Sequence, residues 1–129
     1  MRYIAVLFIV LLSSCTDFDK HEIDNLLDQR NTSISQKNIN DYTALLNKAY
    51  KENAENTVVY DMQNIFDSFD KIEMSSRDRV IQIIDDNHAI CEQTYILNVF
   101  ANGEWRKMVK REQLKFQREN GHWKISSGL

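Results

Sequence analysis

The hydrophobic period of this chain changes once, near Ile72, and that change limits the fold more than any other feature. Before it, apolar residues recur at helical spacing. The first stripe is Ile23, Leu26, Leu27 and Ile34, and a second follows Asn38 with Ile39, Tyr42, Leu45, Leu46 and Ala49. A third follows Thr57 with Val58, Val59, Met62, Ile65, Phe66 and Phe69. A polar residue stands ready as N-cap before each stripe. After Ile72 the period is two. Strands are expected near 73–84, 88–101, 105–118 and 122–127, separated by Asp85-Asp86-Asn87, Asn102-Gly103-Glu104 and Asn120-Gly121. Asn-Gly between alternating runs is a strong hairpin signal. Helices first and a meander second predict an α+β domain, with helices packed on one face of a curved, antiparallel four-stranded sheet. A chain of 129 residues supplies one such domain and not two.

The first residues differ from the rest. Arg2 gives a positive start, Tyr3 to Leu12 is an unbroken apolar run, and Leu12-Ser13-Ser14-Cys15 follows. This is the order of a secretory signal. The run is about half the 20 residues or so that a bilayer span needs. The segment resembles a lipobox, the signal of bacterial lipoproteins. That resemblance implies removal of residues 1–14, lipid on Cys15 and a short tether over 15–18, with the domain proper from 19 to 129. A helix is expected from Lys20, with Asp19 as N-cap, Glu22 completing a capping box, and Phe18 and Ile23 as a hydrophobic staple. Such a tether spans about 17 Å when extended, so the domain is expected close to a membrane, in the bacterial envelope, facing the periplasm or exterior. With Cys15 lipidated, Cys91 has no disulfide partner, and its place in an alternating run predicts a buried structural thiol.

The layout of the domain resembles the nuclear transport factor 2-like superfamily, whose members include SnoaL-like and cystatin-like cone folds. Three stretches carry the resemblance: Asn38-Ile39-Asn40-Asp41-Tyr42 opening the second helix, Asp86-Asn87-His88-Ala89 entering a long strand, and the closing hairpin from Leu114 to Ile125 with its Asn120-Gly121 turn and Trp123-Lys124-Ile125. The resemblance implies a cone with a pocket between the helices and the concave sheet face, and dimerisation through the convex face. The superfamily hosts isomerases, dehydratases, transport factors and immunity proteins, so the fold leaves the function open.

Several residues are candidates for the pocket. On the third strand, Met108, Lys110, Glu112, Leu114 and Phe116 share one face, so Glu112 is expected to point inward among apolar neighbours. Burial would raise its pKa and suit it to general acid–base work. Buried ionisable groups are usually paired, however, and pairing with Lys110, Arg118 or a helix residue is the favoured reading. Glu92, on a face with Ile90, Thr94 and Ile96, is a second carboxylate that a neighbouring strand can bring near Glu112. Tyr42 and Tyr60 are further pocket candidates, as hydroxyls on helix faces, although aromatics there more often fill a core. His21, His88 and His122 lack metal-site spacing, and neither a metal nor any other cofactor is expected.

Charge is uneven. Residues 16–72 hold eleven acids and six bases, whereas residues 101–129 hold three acids and seven bases. The bases concentrate in a stripe on the outer face of the third strand: Lys107, Arg111 and Lys115. Such a stripe suits anionic headgroups or an acidic partner, or is simply a solvated face with edge-protecting lysines. The second strand is apolar on both faces, which predicts partial cover of the convex face by a second subunit or partner. The overall charge of −3 gives no reason to expect nucleic acid. The expected function is therefore a membrane-anchored envelope lipoprotein whose cone domain binds a small ligand or a protein without catalysis. Its rivals are an enzyme using an inward carboxylate on a small hydrophobic substrate, and an immunity or assembly protein docking a partner at the membrane.

Overall fold

The computed structural model describes the backbone of residues 2–53, 55 and 57–129, and side chains from residue 16 onward within those ranges. Four helices precede four strands: α1 Arg2–Ser35, α2 Ile39–Ala44, α3 Lys48–Glu52, α4 Val58–Ser68, then β1 Lys71–Ile83, β2 His88–Ala101, β3 Glu104–Glu119 and β4 His122–Ser127. The strands form one antiparallel sheet in the order β1-β2-β3-β4. Two of the three hairpins close where the sequence predicts, because Asn102-Gly103 and Asn120-Gly121 both hold the positive φ angles of a tight turn.

Helix α1 crosses the concave face, and its stripe makes the core. Ile23, Leu27, Leu114, Phe116, Trp123 and Ile125 are almost fully enclosed there. At its end Lys37 takes φ +53 and the Asn38 amide donates to Ser33 O, so the last turn is closed by a left-handed residue. Asn38 then caps α2, its side chain accepting from the Asp41 amide.

Three elements differ from the sequence expectation. Helix α1 does not begin at Lys20. It is continuous through residues 15–18, because no proline or glycine interrupts it, so Asp19 and Glu22 cannot form a capping box. Both serve tertiary structure instead. Asp19 accepts from Arg118 (2.7 Å) and from Trp123 Nε1 (3.2 Å), and Glu22 accepts from the Trp123 amide. Arg118 also stacks on the Trp123 ring at 4.7 Å. Phe18 is exposed and staples nothing. The second stripe is two short helices, because Leu46 bridges to Ile125, and Asn47 restarts the chain as N-cap of α3. Strand β1 contains a bulge at Asp78-Arg79, where two residues face the single Gln93 and Asp78 takes φ +54. The expected lipid site falls on Cys15, whose side chain lies outside the described residues. No described helix is long and apolar enough to cross a membrane.

Asp19 therefore fastens the start of the domain to its closing hairpin. Asp19→Ala removes the shared acceptor of Arg118 and Trp123. It is expected to cost about 2 kcal/mol, as for hydrogen bonds to charged groups. A lowered urea midpoint with an unchanged slope would register this.

Candidate functional site

The curvature of the sheet leaves space beside α1 that α2 and α4 close only in part. The result is a cavity of about 540 Å³, within the usual size range for a small-molecule site. Val58, Met62 and Ile65 of α4 form an apolar wall, Tyr95 and Lys110 contribute from the sheet, and Asp61 also lines the space. Arg30, Tyr42 and Glu112 bring the polar groups.

Glu112 points inward, as its strand parity predicts, and its partner comes from a helix. Arg30 donates to it from both terminal nitrogens, at 2.8 and 3.0 Å, and Gln93 Nε2 donates to the same carboxylate at 2.9 Å. The side chains of Arg30 and Glu112 are only 6% and 9% exposed. Register explains the third contact, because Gln93 lies directly opposite Glu112. The bulge explains a fourth: it turns Arg79 inward, where Nε donates to Gln93 Oε1 at 2.7 Å, and other nitrogens reach Asp24, Asp28 and Ser76. A continuous polar chain thus runs from the Asp24/Asp28 surface of α1, through Arg79 and the fully enclosed Gln93, to the cavity.

Tyr42 is the other inward group. It is enclosed, and its hydroxyl has no hydrogen-bond partner among the described residues; neither does Nε of Arg30. Burial pushes the Tyr42 phenol up to about 12, with Arg30 opposing the rise. Burial likewise raises the Cys91 thiol to about 11, consistent with an inert structural cysteine on the inner face.

Of the expected pocket residues, the structure brings Tyr42 and Glu112 together and excludes two. Glu92 is exposed on the outer face: Ala89, Cys91 and Gln93 take the inner one, and Glu92 pairs with Gln113. The two carboxylates therefore point to opposite sides of the sheet. Tyr60 is 68% exposed, on the solvent side of α4. Lys107, Arg111 and Lys115 share the outer face, where Arg111 reaches across β2 to Asp78 O at 2.7 Å. Sequence reasoning missed Arg30, Gln93 and Arg79. Arg30 was open to detection, since it continues the apolar stripe of Ile23, Leu26, Leu27 and Ile34, where a charged residue needs a partner.

Against known proteins, residues 19–127 match the family model of the calcium/calmodulin dependent protein kinase II association domain. The chain belongs to that family. No curated protein matches it. Among solved structures, a candidate association domain of the same name from Xanthomonas campestris superposes with a TM-score of 0.68 at 15% identity, covering 83% of this chain and 82% of that one. A candidate dehydratase of the nuclear transport factor 2-like family from Streptomyces avermitilis gives 0.74 at 12%, covering 87% and 94%. A candidate scytalone dehydratase from Novosphingobium aromaticivorans gives 0.75 at 11%, covering 90% and 85%. At these identities the likeness establishes the nuclear transport factor 2-like cone as the fold of this association-domain family member.

Two outcomes follow from the buried groups. Glu112→Gln leaves Arg30 as an uncompensated charge and is expected to cost about 3–5 kcal/mol, whereas the double change Arg30→Met with Glu112→Leu recovers most of it. Chemical denaturation of the three proteins tests this. Tyr42 titrates near 10 when unfolded and about 12 when folded, so the unfolded state releases its proton first. Stability is expected to be independent of this group below pH 10 and to fall as pH rises from 10 to 12. Tyr42→Phe should flatten that fall in denaturation curves across the range.

Proposed function

We propose that this association-domain family member is a lipid-tethered cone that binds a small ligand in the cavity, without using Glu112 as an acid or base. The observation that carries the reading is the Tyr42 hydroxyl, buried and unpartnered in a cavity with an apolar wall. A buried donor without an acceptor costs about 1–3 kcal/mol, and a ligand oxygen placed there removes that cost. The fitting ligand has an apolar body packed on Val58, Met62 and Ile65, and an acceptor oxygen at Tyr42.

Non-catalytic binding is supported by how Glu112 is held. General acid–base work needs a carboxylate free to exchange a proton with substrate. Glu112 accepts three hydrogen bonds, two from a guanidinium. The membrane part of the proposal rests on the Arg2 to Cys15 signal pattern, with acyl chains on Cys15 placing the domain at the envelope surface. A second copy packed on the outer face belongs to the same proposal, since Val80, Trp105 and Val109 are about half exposed or more there.

Native mass spectrometry of the full chain, purified in mild detergent from its own cells, tests the ligand and the dimer together. The expected spectrum shows mass beyond the chain and its acyl groups, lost in Tyr42→Phe or bound at least fivefold more weakly. Conversion of that molecule to a product by the wild type, abolished in the Arg30→Met, Glu112→Leu double variant, would defeat the non-catalytic reading. Cys15→Ser is expected to move the chain from the membrane fraction to the soluble fraction.

A further inference from the structure

Strand β3 is sixteen residues long, but β4 pairs only with its last part, from Lys115 to Glu119. From Glu104 to Leu114 it pairs with β2 on one side, and no other described strand lies on the other. The first eight of these residues, Glu104 to Arg111, are all exposed. The Arg118 amide donates to Asn87 O across the β2 side, and the register runs without a shift from there to the hairpin. Backbone groups alternate sides along a strand, so the amides and carbonyls of Trp105, Lys107, Val109 and Arg111 point to the open edge. The Gln113 carbonyl confirms the parity: it points the same way but is covered by Gly128, whose Cβ would meet it at 2.3 Å.

The side chains of this edge are not those of a merely defended one. Protected edges carry charge without large apolar groups. Here Trp105, Met108 and Val109 are 45–46% exposed and alternate with bases on both faces: Trp105, Lys107, Val109 and Arg111 outside, Arg106, Met108 and Lys110 inside. We infer that the Glu104–Arg111 edge is a docking site for an extended acidic–apolar segment of another protein, which adds to the sheet as a fifth strand. The backbone supplies hydrogen bonds and the alternating side chains supply selectivity. Charge decides the occupant. Pairing with the same edge of a second copy would set Arg106, Lys107, Lys110 and Arg111 against their equivalents. A bilayer surface offers no donors to the four open carbonyls. An acidic strand answers both the charge and the backbone. This inference does not rest on the cavity or its ligand.

The test uses the full chain in mild detergent and a fluorescent ten-residue peptide of alternating Glu and Val. Three controls accompany it: the same peptide N-methylated at every second residue, a Lys–Val peptide, and phosphatidylglycerol vesicles. Fluorescence anisotropy is expected to show saturable binding of the Glu–Val peptide, weakened at least tenfold by N-methylation and at least tenfold by Arg106→Glu with Lys107→Glu. Hydrogen exchange should slow at 105, 107, 109 and 111. Arg106 and Lys107 are exposed, so the charge reversal leaves the core intact; an unchanged urea midpoint confirms it. Equal binding of the N-methylated peptide would overturn the inference, reducing the edge to an electrostatic surface. So would binding to the vesicles with none to the peptide, or no binding at all.

Discussion

The Arg30–Glu112 pair is the contact on which the rest of the arrangement depends. It joins the C-terminal part of α1, the longest described helix, to the middle of β3, which pairs with both β2 and β4. Apolar packing between α1 and the concave face is tolerant of small slides, since one leucine fits roughly where another did. A bidentate guanidinium–carboxylate contact is not. Two charges removed from water must meet in one geometry, and that geometry fixes the height and rotation of α1 together. Gln93 and Arg79 extend the constraint across β2 and β1, so three strands and the helix share one set of hydrogen bonds.

The cavity is a consequence of that restraint. Arg30 occupies a position within the helical stripe that would otherwise seat an apolar side chain against the sheet. The space it holds open is walled by α4 and floored by charge that is already neutralised. A site built this way presents an apolar flank beside buried donors that lack a partner among the described residues. The same sheet, where it runs past the helices, changes character: its inner and outer faces are both wet, and its edge is open.

Much of this was legible in the residues. The change of period at Ile72 placed the helices and strands, and Asn102-Gly103 and Asn120-Gly121 placed two hairpins to the residue or nearly so. Strand parity aimed Glu112 inward correctly, since nothing interrupts β3. It failed for Glu92 as a neighbour of Glu112, because which parity of β2 faces inward depends on register, and that is set by long-range packing. Asp19 read as an N-cap because capping is a local pattern. Its real partners, Arg118 and Trp123, lie about a hundred residues away in sequence. Arg79 was invisible for a related reason: its inward turn exists only because of the bulge beside it.

That bulge acts as a frameshift in the sheet's pattern. Before Asp78, the even-numbered residues Ile72 and Met74 face the core; after it, the odd-numbered Ile81 and Ile83 do. Strand β1 is thus two half-strands written in different frames and joined by a single extra residue. A regular ladder through the same residues would set Asp78 alone against Gln93 and shift every later residue by one. That shift would turn Ile81 and Ile83 to water and carry Arg79 away from Gln93. One extra surface residue, its carbonyl accepting from Arg111, keeps both frames in register with the same core.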